Sequence, residues 1–278
     1  MAELSKLALP DFLYGTAWKE GRTAGLVEQA LRAGFRGIDT ANQRRHYFEA
    51  GVGEGLAAAY RAGIVKREEL FLQTKFTYRP GQDHRLPYDA TASYATQVAQ
   101  SLASSLEHLG AERVDSFVLH GPASHHGWSE ADGEVWEAMK NERDRGRARL
   151  LGVSNVSLAH LEQMMAAQRE APAFVQNRCF AHLGWDRGVR EFCRRHKITY
   201  QGFSLLTANL ELVHHPALAG MAQSLGATPE QVVFAFARAI GILPLIGTSR
   251  AQHMQEDLAS VSIKLPAEVV RALEGVAR

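Results

Sequence analysis

The sequence predicts an α/β chain that closes into a (β/α)8 barrel, one domain over residues 1–278. Three observations lead there. Eight short apolar runs of strand character are spread over the whole length, separated by amphipathic segments of helical period. Strands that alternate with helices make a parallel sheet, and eight such units are enough to close it. No G-x-G-x-x-G follows any of the runs, so the open doubly wound sheet, the main rival, lacks its usual signature.

The runs can be justified in order. Residues 12–17 form the first, and residues 35–39 the second, which ends in Asp39. Polar residues 42–46 follow, and Tyr47 and Glu49 open a helical pattern. The third run, 70–76 (LFLQTKF), carries Lys75, and the fourth, 114–120 (VDSFVLH), ends in His120. The fifth, 150–154, leads into Ser154 and Asn155; the sixth, 173–179, contains Gln176 and Asn177. Residues 199–205 hold Phe203 and Ser204, and residues 243–248 run into Gly247, Thr248, Ser249 and Arg250. Between them, residues 23–33 and 93–109 are amphipathic, the second with Val98, Leu102, Leu106 and Leu109 at helical spacing. Ser157 reads as an N-cap, and Thr228 precedes Pro229 at a first helical position.

Composition narrows the class. Hydrophobic residues make up 46% of the chain and charged residues 22%, as in ordinary globular proteins. A net charge of +1 gives no broad field for nucleic acid or an anionic membrane. The basic stretch RDRGRAR, residues 143–149, reads as a solvated helix end running into a strand. No run reaches membrane-spanning length, and the opening MAELSKLALP has no signal-peptide core. Cys179 and Cys193 have no ligand spacing around them, which fits a reducing compartment and free thiols. The expectation is therefore a cytoplasmic protein, and a monomer because no apolar stripe is left over.

In a barrel the C-terminal strand ends share one mouth. Asp39, Lys75 and His120 stand at three consecutive ends, with Tyr47 in the intervening loop. Each alone has a bland reading: a turn residue, a snorkelling lysine, a hydrogen-bonded histidine, a packed ring. Together they suit proton delivery to a carbonyl. A nearby ammonium is expected to lower a phenol's pKa, a carboxylate keeps that ammonium charged, and a histidine can orient the carbonyl. Hydride must come from a reduced nicotinamide, whose carboxamide Asn155 and Gln176 could hold and whose ring could stack on Phe203.

These residues resemble those of the aldo-keto reductases over nearly the full chain. GFRGIDTA is similar to the family's second-strand signature, LFLQTKF to its lysine strand and SFVLHGP to its histidine strand. LLGVSNVS, PAFVQN and LIGTSRAQHMQEDL resemble its fifth-strand, glutamine-strand and cofactor-binding segments. The resemblance implies the barrel, NADPH dependence and reduction of an aldehyde or ketone. It implies catalytic roles for Asp39, Tyr47, Lys75 and His120. It also implies cofactor contacts from Ser154, Asn155, Gln176, Phe203, Ser204, Leu206, Gly247, Thr248, Ser249, Arg250, His253, Glu256 and Asp257, and no metal. Trp18 and His120 are the expected substrate contacts.

The chain departs from the pattern in three places. The loop after Asp39 is about two residues longer than the family's, by alignment of its motif, so that His46 or Tyr47 falls at the acid position; the chemistry selects the phenol. Phe203 stands where the family usually has a stacking tyrosine. Gly247 and His253 align with the lysine and arginine that often grip the adenosine 2′-phosphate, leaving Arg250 for that task and NADPH as the expected cofactor, with NADH possible. Closure of the pocket is expected from the loop after His120, from Trp18 and Lys19, and from the long loop 77–89. Two other readings are a nicotinamide-binding regulatory subunit without turnover, and a metal-dependent barrel hydrolase using Asp39, His120, His125, His126, His214 and His215.

Overall fold

The computed structural model describes residues 9–276. Its eight parallel strands are β1 (Leu13–Gly15), β2 (Gly37–Asp39), β3 (Phe71–Phe76), β4 (Val114–Leu119), β5 (Ala148–Ser154), β6 (Phe174–Arg178), β7 (Thr199–Phe203) and β8 (Ile242–Ile246). Each pairs with the next, and β8 pairs with β1, so the sheet closes. Most strands are shorter than the apolar runs that announced them, because the run ends leave the ladder to build the two rims. Strand β5 instead begins earlier, at Ala148, where Val114 of β4 supplies a partner.

The outer ring contains α1 (Thr23–Ala33), α2 (Glu49–Arg61), α3 (Tyr94–Leu109), α4 (Glu130–Asp144), α5 (Leu158–Gln168) and α6 (Arg187–His196). Two short helices, α7 (Leu210–Val213) and α8 (Pro216–Ser224), precede α9 (Pro229–Ala239); α10 (Ala251–Ala259) and α11 (Ala267–Glu274) follow β8. Ser157 and Thr228 accept from the backbone N–H of His160 and Gln231, satisfying orphan donors at the starts of α5 and α9. Among the described residues no helix is long and apolar enough to cross a membrane.

The period-two alternation of strands sorts side chains between two environments. Phe12, Tyr14, Leu72 and Val175 belong to the large cluster between barrel and helices. Leu13, Phe71 and Phe174 form a separate buried cluster inside the barrel, with Leu150, Leu243 and Leu245 against it. Two residues further along the same inner faces come polar side chains: Asp39 after Gly37, Gln73 after Phe71, Gln176 after Phe174. The barrel is therefore plugged by hydrocarbon at its N-terminal end and polar towards its mouth. Gly53 lets α2 meet the end of α3; a Cβ there would stand 1.9 Å from the His108 carbonyl oxygen.

Candidate active site

A cleft of about 710 Å³ opens at the C-terminal ends of the strands. A second depression, about 900 Å³ and lined by Arg113, Arg149, Pro172 and Lys197 among others, lies at the other end of the barrel and holds none of the expected site residues. The larger hollow is thus the one without a chemical constellation.

Lys75 is fully buried, and its Nζ donates to Asp39 Oδ1 and Oδ2, both at 2.7 Å, and to the Thr40 carbonyl oxygen at 2.9 Å. All three ammonium hydrogens are matched, as a buried charge requires. Burial draws the Lys75 ammonium down from the usual lysine range, while the ion pair with Asp39 acts in the opposite direction. Asp39 is held from below as well. Its Oδ1 accepts from Gln73 Nε2 at 2.7 Å and from Gln176 Nε2 at 3.1 Å. Those two amides in turn donate to Gln201 Oε1, at 2.9 and 2.8 Å, and Gln201 Nε2 donates back to Gln73 Oε1 at 3.0 Å.

The Tyr47 ring stands above this pair. Lys75 Nζ is 5.3 Å from its centroid, and the His120 ring meets it edge to face at 5.8 Å. His46 points elsewhere: its ring lies 4.1 Å from that of Trp18, and its Nδ1 contacts Gln43 Oε1. The loop takes this course because Gln43 Nε2 donates to the Gly81 carbonyl oxygen and the Trp18 amide donates to the His46 carbonyl oxygen. One expectation is corrected here. Burial, reinforced by the Asp39 carboxylate, pushes the Tyr47 phenol far above its ordinary value rather than below it. The charge of Lys75 is balanced by Asp39 at contact distance, so it cannot outweigh desolvation. His120 moves the other way. Burial, Lys75 and His46 hold its imidazole well below the usual histidine range, so it is neutral near pH 7.

The cleft is lined by Trp18, Asp39, Tyr47, His120, Ser154, Asn155, Gln176, Phe203, Ser204, Leu206, Gly247, Thr248, Ser249, His253 and Asp257. Lys75 lies beneath, behind Asp39 and Tyr47. Arg250 is exposed and stands outside the lining, as does Glu256, whose Oε1 accepts from Gln252 within α10. Trp18 is 70% exposed, a rim plate stacked on His46. Lys19 is not a lid: it is buried, and its Nζ donates to the Gly247 carbonyl oxygen at 2.6 Å. Neither loop 77–89 nor the segment after His120 contributes to the lining. The former braces Tyr47's loop instead, through Gly81 and through Gln82, whose Nε2 donates to the Asn42 carbonyl oxygen. Gln176 has a second task besides any cofactor contact, since its amide nitrogen holds Asp39. Among the described residues no three His, Cys, Asp or Glu side chains converge as metal ligands, so the histidines of the hydrolase reading do not assemble.

Sequence reasoning overlooked Thr77, Gln73, Gln201, Arg22 and Arg178. The two glutamines were detectable, because Gln73 precedes Lys75 by one period and Gln201 precedes Phe203 likewise. Arg178 ends β6, and its guanidinium carbon is 5.7 Å from the Phe203 ring centroid.

Comparison with known proteins fits this geometry. The Aldo/keto reductase family matches residues 15–278. The chain belongs to that family. An uncharacterized oxidoreductase of Schizosaccharomyces pombe is 30% identical over 250 residues, covering 90% of this chain and 81% of that protein. An aldo-keto reductase of Mycolicibacterium paratuberculosis is 30% identical over 255 residues, covering 91% and 81%. Among solved structures, an aldo/keto reductase from Brucella melitensis superposes with a TM-score of 0.82 at 23% identity, covering 96% and 95% of the two chains. A Bombyx mori aldo-keto reductase in complex with NADP gives 0.81 at 22%, covering 98% and 90%. This aldo-keto reductase therefore has the (β/α)8 barrel of its family, with Asp39, Tyr47, Lys75 and His120 grouped at its mouth.

Proposed function

We propose that this aldo-keto reductase is an NADPH-dependent carbonyl reductase, a cytoplasmic monomer acting on an aldehyde or ketone. The observation that carries the reading is the placement of the Tyr47 ring against both Lys75 and His120 at the wall of the cleft.

The cleft's donor set suits a dinucleotide. Phe203 offers a flat ring, Asn155 and Gln176 line the cleft with side-chain amides, and Lys19 and Arg22 bring positive charge. Arg250 occupies the N-cap of α10 without a side-chain cap, so the first N–H groups of that helix are open to a phosphate, and its guanidinium can meet the adenosine 2′-phosphate. The NADP carried by the Bombyx mori relative supports the same cofactor class. Bound NADPH supplies the hydride.

The chain's own groups handle the proton. Burial keeps Tyr47 in its protonated form, the form a reduction consumes. As negative charge grows on the carbonyl oxygen, Tyr47 Oη passes its proton there, and the phenolate left behind is stabilised by the field of the Lys75 ammonium, 5.3 Å from the ring centroid and held in place by Asp39 and the Thr40 carbonyl. His120, neutral, orients the carbonyl with a hydrogen bond. Trp18 and His46 form the outer wall against which an apolar substituent can rest.

The test mixes the purified chain with NADPH and an aromatic aldehyde and follows loss of nicotinamide absorbance. Aldehyde-dependent oxidation is expected, with Tyr47→Phe lowering kcat by roughly 10²–10⁴-fold while NADPH still binds. Tight NADPH binding with no oxidation over a broad carbonyl panel would return the chain to the regulatory reading. Activity that survives in Tyr47→Phe and is lost in His46→Ala would move the acid to His46.

A further inference from the structure

Thr77 leaves β3 two residues beyond Lys75, and its Oγ1 lies 2.7 Å from His120 Nδ1. The residue is buried and tightly bracketed. Its carbonyl oxygen accepts from Tyr88 Oη at 2.7 Å and from Gln82 Nε2 at 3.4 Å. A Cβ on Gly81 would stand 2.7 Å from its Cγ2. His120 is fixed just as firmly: its amide donates to the Phe76 carbonyl oxygen at 2.9 Å, and its own carbonyl oxygen accepts from Asn155 Nδ2 at 2.7 Å.

A neutral imidazole carries one N–H, on either nitrogen. If Nδ1 carried it, Nδ1 would donate to Thr77 Oγ1, and the threonine's own hydrogen would have no acceptor among the described residues. A buried hydroxyl hydrogen left unmatched is costly. If Thr77 donates instead, its hydrogen and the Nδ1 lone pair satisfy each other, and the remaining proton sits on Nε2. His120 lines the cleft and Thr77 does not, so the edge left open to the cleft is the Nε2 edge.

We propose that Thr77 is a positioning residue: its hydroxyl donates to His120 Nδ1, fixes the imidazole as the Nε2–H tautomer and so presents a hydrogen-bond donor to the substrate oxygen. The last step rests on the carbonyl-reductase reading; the tautomer does not. Loop 77–89 thereby has a role although it contributes nothing to the cleft wall, because Gln82 and Tyr88 hold the threonine that sets the histidine.

The deciding experiment is a two-bond ¹H–¹⁵N correlation spectrum of the labelled protein between about pH 7 and 8, where an imidazole of depressed pKa is neutral. His120 signals are assigned by their absence in His120→Gln. The expected spectrum has a protonated Nε2 and a bare Nδ1, with Thr77→Val shifting His120 to a mixture and Thr77→Ser restoring the single form. In turnover, Thr77→Val is expected to lower kcat about tenfold, the scale of one hydrogen bond, with NADPH affinity by fluorescence changing less than about twofold and Thr77→Ser recovering the rate. A wild-type His120 protonated on Nδ1, or a tautomer indifferent to Thr77→Val, overturns the proposal. The wild-type spectrum decides even if Thr77→Val fails to fold. A wild type that reduces no carbonyl but keeps the Nε2–H tautomer would refute the reductase reading and leave the role of Thr77 standing.

Discussion

Lys75 Nζ lies 2.7 Å from each carboxylate oxygen of Asp39, inside a barrel that buries both side chains. A buried pair of this kind is sensitive to loss of one member, because the survivor keeps its charge without its counter-ion. Lys75→Met is expected to lower unfolding free energy by about 3–5 kcal/mol. Asp39→Asn should cost less, since the Thr40 carbonyl and the new amide oxygen still face the ammonium. Urea unfolding of both variants checks the order, and an equal or reversed cost would mean that the pair is not the anchor described. Both substitutions should also abolish most carbonyl reduction, with NADPH binding largely retained.

The glutamine layer beneath Asp39 makes a separate prediction. Gln201 does not line the cleft and reaches Asp39 only through Gln73 and Gln176. In Gln201→Leu each of those amides loses an acceptor, a loss of about 1–3 kcal/mol. The two amides then hold the carboxylate less firmly, so kcat should fall several-fold while NADPH affinity holds. Gln201→Glu is the sharper probe, because a second buried carboxylate beside Asp39 must protonate or repel it. Its activity is expected to rise as pH falls from 8 to about 6, unlike the wild type. Identical pH–rate profiles for the two proteins would refute a connection between Gln201 and Asp39.

Much of this arrangement was legible in the sequence, and the rest was hidden for identifiable reasons. Alternation of strand-like and helical runs gives the barrel, and the residues at run ends give Asp39, Lys75, His120, Ser154 and Phe203, because strand ends and barrel mouth coincide. The choice between His46 and Tyr47 could not be made from spacing. It depends on where loop 40–48 runs, and that is set by Gln43 reaching Gly81 and by Trp18 pairing with the His46 carbonyl. Thr77 was hidden in the same way, since its partner lies 43 residues further on. The upward displacement of the Tyr47 phenol was misjudged because spacing reveals which charges are near but not how deeply a ring is buried.

Lys19 is expected to couple cofactor affinity to pH. Burial and the neighbouring Arg22 bring its ammonium down to about 8. Below that value the amine is charged and can meet a cofactor phosphate; above it the charge is lost. NADPH affinity should therefore fall as pH rises from 7 to 9, a window above the phosphate's own ionisation near 6. Lys19→Met is expected to weaken NADPH about tenfold at pH 7 and to flatten that dependence. Fluorescence titration at three pH values is sufficient, and a slope that persists in the variant would assign the titration to another group.

Asp257 supplies a stability prediction of opposite sign to an ordinary ion-paired carboxylate. It is buried in the first two turns of α10 towards the cleft, and burial together with Glu256 and Glu230 raises its carboxyl to about 7. In the unfolded chain the same group ionises near its ordinary value of 3.8. Between those two values the folded chain keeps a proton that the unfolded chain has released, so stability declines as pH rises through the window. The contribution is fully present below about 4 and fully lost above about 7, a span worth up to roughly 4 kcal/mol. Asp257→Asn removes the ionisation without changing the shape. It should raise unfolding free energy by roughly 1–3 kcal/mol at pH 8 and by only about a third of that at pH 5. Denaturant melts at the two values check both the sign and the pH at which the gain appears; a gain confined to pH 5, or a loss at pH 8, would mean that the Asp257 carboxylate is stabilised in the fold by a partner that Asn cannot replace.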